Sequence, residues 1–376
     1  MLTTDKKADA SQRLLGLDLL RFVAVGLVIG RHLAAKDGSS FLGVLQKGGW
    51  VGVDIFFVLS GFLVSGLLFR EYQKTKEVRL GRFLIRRAWK IYPSFWVMIA
   101  CSILLWDFGI WENFSRKGLL GEGLFLQNYL GGFWRTTWSL AVEEHFYLLL
   151  AGLVFLLIRL SRGKANFSPF SFLPGLFSLI AIGCLAARIL HWHFQGGVDE
   201  RAILYPSECR MDSLMFGVLL SYWWHFSPES RFPEWCRRWR AALLLIGVGC
   251  LSPAFLWEVH ARPWISVFGV MAFAFGAGML ILGILSFSAL DRIPLLKPIG
   301  KLGSYSYSAY LWHGPFATIV VERLRDASGH PRNNWIEFLI SFSGTWLLGI
   351  GAARLIEIPV LKLRERYFPM HLPKLK

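Results

Sequence analysis

The sequence predicts an all-α membrane protein, a single domain built as a bundle of about ten transmembrane helices. Of the 376 residues, 54% are hydrophobic, and they include 17 tryptophans and 31 phenylalanines. A soluble domain of this size would leave much of that apolar surface in contact with water. The charged residues gather in short connections between long apolar runs. A lipid bilayer is therefore the expected surroundings of most of the chain.

Ten apolar segments that are long enough, or nearly long enough, to cross a bilayer follow one another along the chain. They lie at 14–34, 48–69, 93–111, 134–158, 170–190, 211–226, 240–257, 264–288, 303–321 and 335–358. The sixth is short, and the stretch KGLLGEGLFLQNYLG at 117–131 is predicted to be interfacial or re-entrant. Residues 1–13 and 360–376 form tails. No stretch is long or polar enough for a separate soluble domain, so one domain is expected over 1–376.

The basic residues predict the orientation of the bundle. With the N-terminus inside, 26 lysines and arginines fall in the inner connections or tails and 13 in the outer connections. Because cytoplasmic connections carry the excess of positive charge, both termini are expected in the cytoplasm. The net charge of +16 is explained by this orientation, and no nucleic-acid partner is expected.

The first segment contains RFVAVGLVIGRH, in which Arg21 and His32 are eleven residues apart. On a helix, eleven steps make three turns plus about 20°, so the two side chains share a face and lie about 16 Å apart along the axis. Ionisable groups inside membrane spans are costly and usually face a cavity or a protein interior. A structural interpretation is also open, because Arg21 can snorkel to the headgroups and His32 can anchor the end of the span.

Four later apolar segments contain ionisable residues as well: Asp54, Glu143, Glu144, His313 and Glu357. Asp54 can pair with a neighbouring helix, and His313 can bond to a backbone carbonyl. The adjacent Glu143 and Glu144 point about 100° apart, so at most one readily faces a given cavity. Glu357 is expected to be structural and to pair with Arg354. So many titratable groups in one low-dielectric bundle need mutual partners, which favours a functional cluster.

The connection RLGRFLIRRAWKIYP places Arg86, Arg87 and Lys90 immediately before a span. Basic residues in this position anchor a helix to anionic lipid. Arginine forks and a lysine charge also bind phosphate groups. Both interpretations remain open from the residues alone.

The five cysteines, at positions 101, 184, 209, 236 and 250, are scattered along the chain. Their number is odd and they never occur in CxxC spacing. They predict neither a disulfide framework nor a metal site, and no metal cofactor is expected.

Seven motifs, taken in order, resemble the acyltransferase-3 family of integral membrane acyltransferases. They are the arginine–histidine pair of the first span, GVDIFFVLSGFL, RRAWKIYP, WSLAVEEHFYLL, RMDSLMFGVLL, SYSAYLWHGPF and the late IEIP. Where that family has two arginines before IYP, this chain has Arg87 and Lys90. Where the family commonly has glutamine after the paired acids, this chain has His145. The resemblance implies the stand-alone form, without the soluble esterase-like domain that many relatives carry.

The resemblance also implies a reaction and a location. The family moves an acyl group, usually acetyl, from acyl-CoA to a hydroxyl of an envelope carbohydrate or a small molecule. The donor binds from the cytoplasm and the acceptor is modified at the outer face, which implies a multi-pass protein of the bacterial cytoplasmic (inner) membrane. In the family's pattern Arg21 and His32 are essential, and the basic group of Arg86, Arg87 and Lys90 is expected to hold CoA.

These implications lead to a mechanistic hypothesis. His32 is expected to act as general base on the acceptor hydroxyl, because the ordinary pKa of histidine lies near neutrality. Arg21 is expected to attract the donor's phosphates or to polarise the thioester. The remaining candidate catalytic residues are Glu143, placed ahead of Glu144 for orienting a catalytic group or stabilising imidazolium, then Asp54 and His313.

Two other classes of function compete with an enzyme. A secondary transporter would use intramembrane Arg, His, Asp and Glu side chains as a proton relay. The sequence shows neither duplicated halves nor paired broken helices, which argues against a transporter. A non-catalytic sensor or scaffold would not need the basic residues of a donor site.

Overall fold

Helices form the framework of the described part of the chain. The computed structural model describes residues 2–32, 40–112, 114–162, 168–195, 199–226, 231–259, 262–287, 290–324 and 334–369. Within these residues there is no β-strand, which agrees with the predicted all-α class. The α-helices are α1 (Leu2–Arg31), α2 (Phe41–Gly48), α3 (Val51–Thr75), α4 (Leu80–Asp107), α5 (Arg116–Gly123), α6 (Gln127–Leu130), α7 (Trp138–Ser161), α8 (Leu173–Gln195), α9 (Glu200–Leu204), α10 (Met211–Phe226), α11 (Arg231–Arg238), α12 (Arg240–Leu251), α13 (Pro253–Leu256), α14 (Val270–Leu285), α15 (Leu296–Gly303), α16 (Ser306–Phe316), α17 (Asn334–Ala352) and α18 (Ile358–Tyr367).

In the part of the chain that the structure describes, fewer helices are long and apolar enough to cross a membrane than the ten predicted. In the described part, six are long and apolar enough: Val51–Thr75, Leu80–Asp107, Arg135–Ser161, Leu173–Phe194, Ile265–Leu285 and Asn334–Tyr367. A seventh span results if Arg231–Arg238 and Arg240–Leu256, which are bent by 75° relative to each other, are counted as one. These seven correspond to seven of the predicted segments.

The other three predicted segments are helical, but they do not meet the same criteria. α10 has only 16 residues, whereas a straight span needs about 20. The segment 303–321 is divided between the end of α15, α16 and a π-helical turn at Ala317–Val321. The apolar part of α1 carries three ionisable residues, Asp18, Arg21 and Arg31. Their apolar composition predicts all three as spans, although one is too short, one is divided and one carries three ionisable residues.

The predicted interfacial or re-entrant stretch at 117–131 forms the short helices α5 and α6. They are joined through Phe125, which has a left-handed φ of 56°. Glu122 is buried in this connection and accepts hydrogen bonds from the Phe133 N–H at 3.0 Å and the Thr137 hydroxyl at 2.9 Å. Burial raises the pKa of the Glu122 carboxyl to about 7. These helices are far too short to cross a bilayer.

The last predicted span continues beyond its predicted end. A π-helical turn at Ala353–Glu357 connects α17 to α18, so helix extends through Tyr367, while residues 370–376 of the predicted tail lie outside the described residues. The expected pairing of Glu357 with Arg354 is wrong. Glu357 is buried and accepts a hydrogen bond from Ser308 at 2.7 Å, whereas Arg354 is exposed. The wider π turn no longer places residues three apart on one face.

α3 is the central helix of the bundle, since 78% of the residues in its 18-residue apolar stretch are buried inside the protein. It packs against α10 with the two backbones in direct contact at Gly61 and Gly217. A Cβ atom on Gly61 would lie 1.9 Å from the Leu214 carbonyl oxygen, and one on Gly217 would lie 2.1 Å from the Val58 carbonyl oxygen. α1 packs along α3 and α15 and also meets α16. This arrangement holds both ends of α1 against the centre of the bundle.

Candidate active site

A cavity of about 530 Å³ lies beside the end of α1 that carries His32. Its aromatic lining residues are Trp50, Trp111, Phe133, Trp134, Trp138, Tyr205 and Tyr310. Its ionisable lining residues are Arg31, His32, Arg135, Arg210 and Glu322. The rings of Trp111 and Trp134 stack at 4.6 Å between centroids, as do those of Trp138 and Tyr205. The cavity thus combines flat apolar walls with charged groups, a combination suited to a polar organic molecule.

His32 and His313 lie side by side at this cavity. His32 directly follows α1, and its exposed side chain forms part of the cavity wall. His313 is buried in α16, with its ring centroid 5.2 Å from that of His32. The Nδ1 atom of His313 donates to the Tyr310 carbonyl, because a carbonyl oxygen can only accept. Its Nε2 atom is therefore an acceptor, and it has no hydrogen-bond partner among the described residues.

Asp54 reaches the cavity only through Arg210. The two side chains are buried and form an ion pair at 2.7 Å, which connects α3 to the residue before α10. The guanidinium also lies over the rings of Phe57, at 5.2 Å, and Trp138, at 5.9 Å. Arg210 lines the cavity, whereas Asp54 lies behind it. Asp54 therefore pairs with a residue of another part of the bundle, as the structural alternative in the sequence analysis predicted.

A second buried ion pair fixes the same segment from the other side. Arg188 of α8 contacts Asp212 at 2.8 Å and donates to the backbone carbonyls of Cys209 at 2.7 Å and Val267 at 2.9 Å. Both partners of the ion pair are buried. The segment that positions Arg210 is therefore held at both of its faces.

Arg21 belongs to a different polar cluster, towards the other end of α1. Its guanidinium pairs with Asp18 at 2.5 Å, one turn earlier on the same helix. The charge of Lys90, from α4, acts on Arg21, Asp18 and Glu357, so these groups lie near one another. Lys90 itself forms no hydrogen bond or ion pair with any described residue.

Glu143 and Glu144 point to different neighbours, as their predicted divergence of about 100° requires. Glu143 accepts hydrogen bonds from the hydroxyls of Tyr147 at 2.5 Å and Ser60 at 3.2 Å, and these hydroxyls are 2.7 Å from each other. Glu144 is buried and accepts from Tyr92 at 3.1 Å. Glu143 therefore connects α7 to α3, and Glu144 connects α7 to α4.

The basic residues at the start of α4 have unlike surroundings. Arg86 contacts both carboxylate oxygens of Glu365, at 2.7 and 3.1 Å, and also donates to the Phe368 carbonyl. Arg87 lies 5.5 Å over the ring of Tyr147 and forms no ion pair with a residue of the described ranges. Arg86 thus holds the C-terminal helix, while Arg87 faces the cluster of Glu143 and Tyr147.

The structure sorts the predicted site residues into two groups. His32, His313 and, through Arg210, Asp54 lie at the cavity. The second group, around Arg21, consists of Arg87, Lys90, Glu143 and Glu144. Arg86 lies at the edge of this second group, paired with Glu365.

Several site residues escaped the sequence analysis: Asp18, Ser60, Arg135, Tyr147 and Arg210. Asp18 had a signal, because a carboxylate three residues before an arginine on a helix pairs with it. Arg210 had one too, since it stands at the start of an apolar segment within RMDSLMFGVLL. Ser60 and Tyr147 had none, because neither residue type is unusual in a membrane helix.

Side chains that bind metal ions are not gathered at either group. No cluster of three or more His, Cys, Asp or Glu residues with suitable geometry occurs in the described ranges. The five cysteines are free thiols.

Comparison with known proteins connects this arrangement to a chemistry. Residues 14–354 match the family described as the acyltransferase domain. The chain belongs to this acyltransferase family. The match covers nearly the whole chain, and it confirms the resemblance that the seven motifs predicted. No solved structure matches the chain.

Three curated relatives of this chain are named as O-acetyltransferases, and two of these names include peptidoglycan. The peptidoglycan O-acetyltransferase OatA of Listeria monocytogenes is 29% identical in an alignment 371 positions long that covers 92% of this chain and 55% of that protein. The O-acetyltransferase OatA of Staphylococcus aureus is 27% identical in an alignment 395 positions long, gaps included, that covers 99% of this chain and 61% of that protein. The putative peptidoglycan O-acetyltransferase YrhL of Bacillus subtilis is 25% identical in an alignment 325 positions long that covers 80% of this chain and 48% of that protein. The chain spans about half to three-fifths of the length of these relatives.

Proposed function

We propose that this protein is a membrane O-acyltransferase that moves an acetyl group from acetyl-CoA to a hydroxyl of peptidoglycan or a related envelope glycan. The observation that carries the proposal is the cavity lined by His32, aromatic rings and arginines in a chain of the acyltransferase family. The names of the curated relatives supply the acetyl group and the class of acceptor. The acceptor occupies the cavity, where aromatic walls contact its sugar rings.

His32 is the general base of this reaction. As the acceptor oxygen attacks the acyl carbonyl, the hydroxyl proton passes to a ring nitrogen of His32, and that proton later returns to the leaving thiol. His32 is suited to this role because its side chain is exposed at the cavity. His313 is a positioning residue, since its Nε2 atom is a buried acceptor beside the His32 ring and can fix the orientation of that ring.

Arg210 is the most deeply buried of the three described arginines that line the proposed acceptor site. Asp54 orients it, so the proposed role of Asp54 is to position this guanidinium rather than to exchange protons. Two aromatic rings support the guanidinium. A fixed cation in this position stabilises negative charge that develops on the acyl oxygen during transfer.

The second cluster is the proposed donor side. Arg87 and Lys90 lie half-buried in a polar cluster, and neither forms an ion pair with a described residue. Their positive charges can therefore bind an anionic ligand such as the phosphates of acyl-CoA. Arg21 belongs to this cluster, and its pairing with Asp18 uses part of its guanidinium. Glu143 and Glu144 orient the hydroxyls around this path.

The orientation of the protein follows from the same assignment. The donor side faces the cytoplasm, where acyl-CoA is available, and the cavity faces the outer surface of a bacterial cytoplasmic membrane. The Arg21 and His32 positions are about 16 Å apart along α1. The acetyl group therefore crosses part of the bilayer thickness within the bundle.

Transfer by the full chain in liposomes tests the proposal. Labelled acetyl-CoA and peptidoglycan oligosaccharides are supplied, and acetyl ester is measured on the oligosaccharide. His32→Ala is expected to reduce transfer by about 10²-fold or more, the usual contribution of a general base. His193→Ala is the matched control, because His193 is exposed on α8 away from the cavity. Equal transfer by both variants would disprove the role of His32, and solute flux without any need for acetyl-CoA would favour a transporter.

A further inference from the structure

The charges around His32 are unusual for a general base. Arg31 and Arg135 line the cavity together with His32, and their positive charges act on its ring. The ring of His313 lies beside it. Arg31 also donates to the Gln46 carbonyl at 3.0 Å. Arg135 is exposed on the 3₁₀ turn Arg135–Thr137 and forms no hydrogen bond or ion pair with any described residue. One arginine at the wall is therefore available to a ligand.

The cavity offers little negative charge of its own. Among the described lining residues, Glu322 is the one carboxylate, and the same lining contains three arginines. Asp54 does not alter this balance at the wall, because it is buried behind Arg210 and paired with it. The described lining is thus positive overall.

This balance opposes the chemistry proposed for His32. When the ring accepts the hydroxyl proton, it becomes a cation in a cavity lining that also contains Arg31 and Arg135, and like charges in a partly desolvated site repel. A negative charge placed near the ring during the reaction would offset that repulsion. The described lining contains a single carboxylate, that of Glu322, and an anionic group on the acceptor would supply further negative charge.

We propose that the acceptor carries an anionic group close to the hydroxyl that is acylated, and that Arg135 binds this group. The inference rests on the proposed function, because it concerns the acceptor of the same transfer. The planar guanidinium of Arg135 has the donor geometry for a carboxylate or a phosphate. The neighbouring rings of Trp134 and Trp138 line the same wall and contact the sugar. Bound in this way, the acceptor anion both anchors the glycan and stabilises the imidazolium of His32.

The test compares acceptors that differ only in charge. The probe is a tetrasaccharide of alternating N-acetylglucosamine and N-acetylmuramic acid, used with free lactyl carboxylates and with the same carboxylates converted to methylamides. A third probe is the methylamide with a phosphate on its reducing end. The full-length protein in liposomes is expected to acetylate the free acid with a kcat/KM at least tenfold above that of the methylamide. If the phosphate restores transfer to the methylamide, the recognised anion is a phosphate.

The Arg135→Gln variant gives the decisive pattern. It is expected to lower kcat/KM for the charged acceptor about tenfold and to raise kcat for the methylamide, because one repelling charge beside His32 has been removed. Arg135→Lys retains the positive charge but loses the planar guanidinium, and its kcat/KM for the charged acceptor is expected to lie between those of the wild type and of Arg135→Gln. Arg116→Gln is the matched control, since Arg116 is exposed on α5 outside the cavity, and it should leave both values unchanged.

The outcomes separate this inference from the proposed function. If the wild type transfers acetyl equally well to charged and uncharged acceptors, the acidic-acceptor inference is wrong and the acetyltransferase assignment stands. If Arg135→Gln lowers transfer to both acceptors by the same factor, Arg135 does not bind the anionic group of the acceptor and the inference is also wrong. If no acceptor is acetylated from acetyl-CoA, the proposed function itself fails and the inference fails with it.

Discussion

Arg86 and Arg87 are neighbours in sequence, yet their side chains make different kinds of contact. Arg86 is held by both oxygens of Glu365 and by the Phe368 carbonyl, so its hydrogen-bonding fork is largely used inside the protein. Arg87 forms no ion pair with a described residue: the rings of Phe83 and Tyr147 lie against its guanidinium, and the carboxylates of Glu143 and Glu144 act on it without forming a salt bridge. A half-buried cation that forms no ion pair within the protein is stabilised further when a ligand supplies an anionic partner. Arg87 is therefore the better candidate for the donor's phosphates.

This difference predicts unequal kinetics for two variants of the same type. Arg87→Gln is expected to raise the KM for acetyl-CoA about tenfold, since it removes a charge-assisted contact to phosphate. Arg86→Gln is expected to leave that KM within about twofold and instead to lower the melting temperature, because it frees α18 from α4. Initial rates at varied acetyl-CoA and thermal unfolding in detergent measure both effects. Equal KM values for the two variants would contradict the assignment.

The buried pair of Asp54 and Arg210 makes a prediction about stability as well as activity. Asp54→Ala leaves the buried guanidinium without its counter-charge, which is expected to cost about 3–5 kcal/mol. The double variant Asp54→Leu with Arg210→Met removes both charges and is expected to recover most of the melting temperature but not transfer. Thermal unfolding and acetyl transfer are measured on the same preparations. Transfer by the double variant at the wild-type rate would show that Arg210 has no part in the reaction.

At the scale of elements, the sequence predicts helices better than it predicts their neighbours. The alternation of apolar runs and basic connections correctly places helices at all ten predicted segments. The same pattern contains no information on which helix lies against which, because the apolar run of α3 carries no feature that refers to that of α10. Their contact depends on Gly61 and Gly217, whose lack of a side chain permits backbone approach. In the sequence these two glycines look like any of the other 35.

The contact of α3 and α10 can be tested by adding a single methyl group. Gly61→Ala would place a Cβ atom 1.9 Å from the Leu214 carbonyl oxygen, so the helices must separate, and a large loss of folded protein is expected. Gly152→Ala is the matched control, because a Cβ atom there meets nothing within 4 Å. Yield of monodisperse protein and melting temperature are the measurements. Similar values for the two variants would mean that the helices are not in close contact.

The connection between α4 and α7 predicts a dependence of stability on pH. Burial raises the pKa of Glu122 from its ordinary 4.5 to about 7, so the folded state holds the proton more tightly than the unfolded state. Stability is thus greatest below pH 4.5 for this group and falls as pH rises through 7, by up to about 3 kcal/mol. Glu122→Gln keeps a neutral acceptor and is expected to flatten this part of the profile. Glu112→Gln, an exposed residue of the same connection, is expected to keep the wild-type slope.

At the scale of the whole molecule, the site depends on contacts between distant parts of the chain. The eleven-residue spacing of Arg21 and His32 predicts that one helix serves two polar regions, and the structure has a cluster near each residue. The partners in those clusters were beyond prediction. Asp54 and Arg210 are 156 residues apart, and Ser60 and Tyr147 are 87 apart. Such pairs are set by the packing of the bundle, and helix periodicity describes one helix at a time.

The two polar regions predict a topology that accessibility to a charged reagent can check. Lys117, exposed on α5, belongs to the connection that supplies Trp111 and Phe133 to the cavity, so it should face outward. Lys74, exposed in the last turn of α3, precedes the basic residues of α4 and should face the cytoplasm. In a chain freed of its native cysteines, Lys117→Cys is expected to react with a membrane-impermeant maleimide on intact spheroplasts. Lys74→Cys should react only after the membrane is permeabilised. The reverse pattern would place the cavity on the cytoplasmic side, and the donor and acceptor assignments would then have to be exchanged.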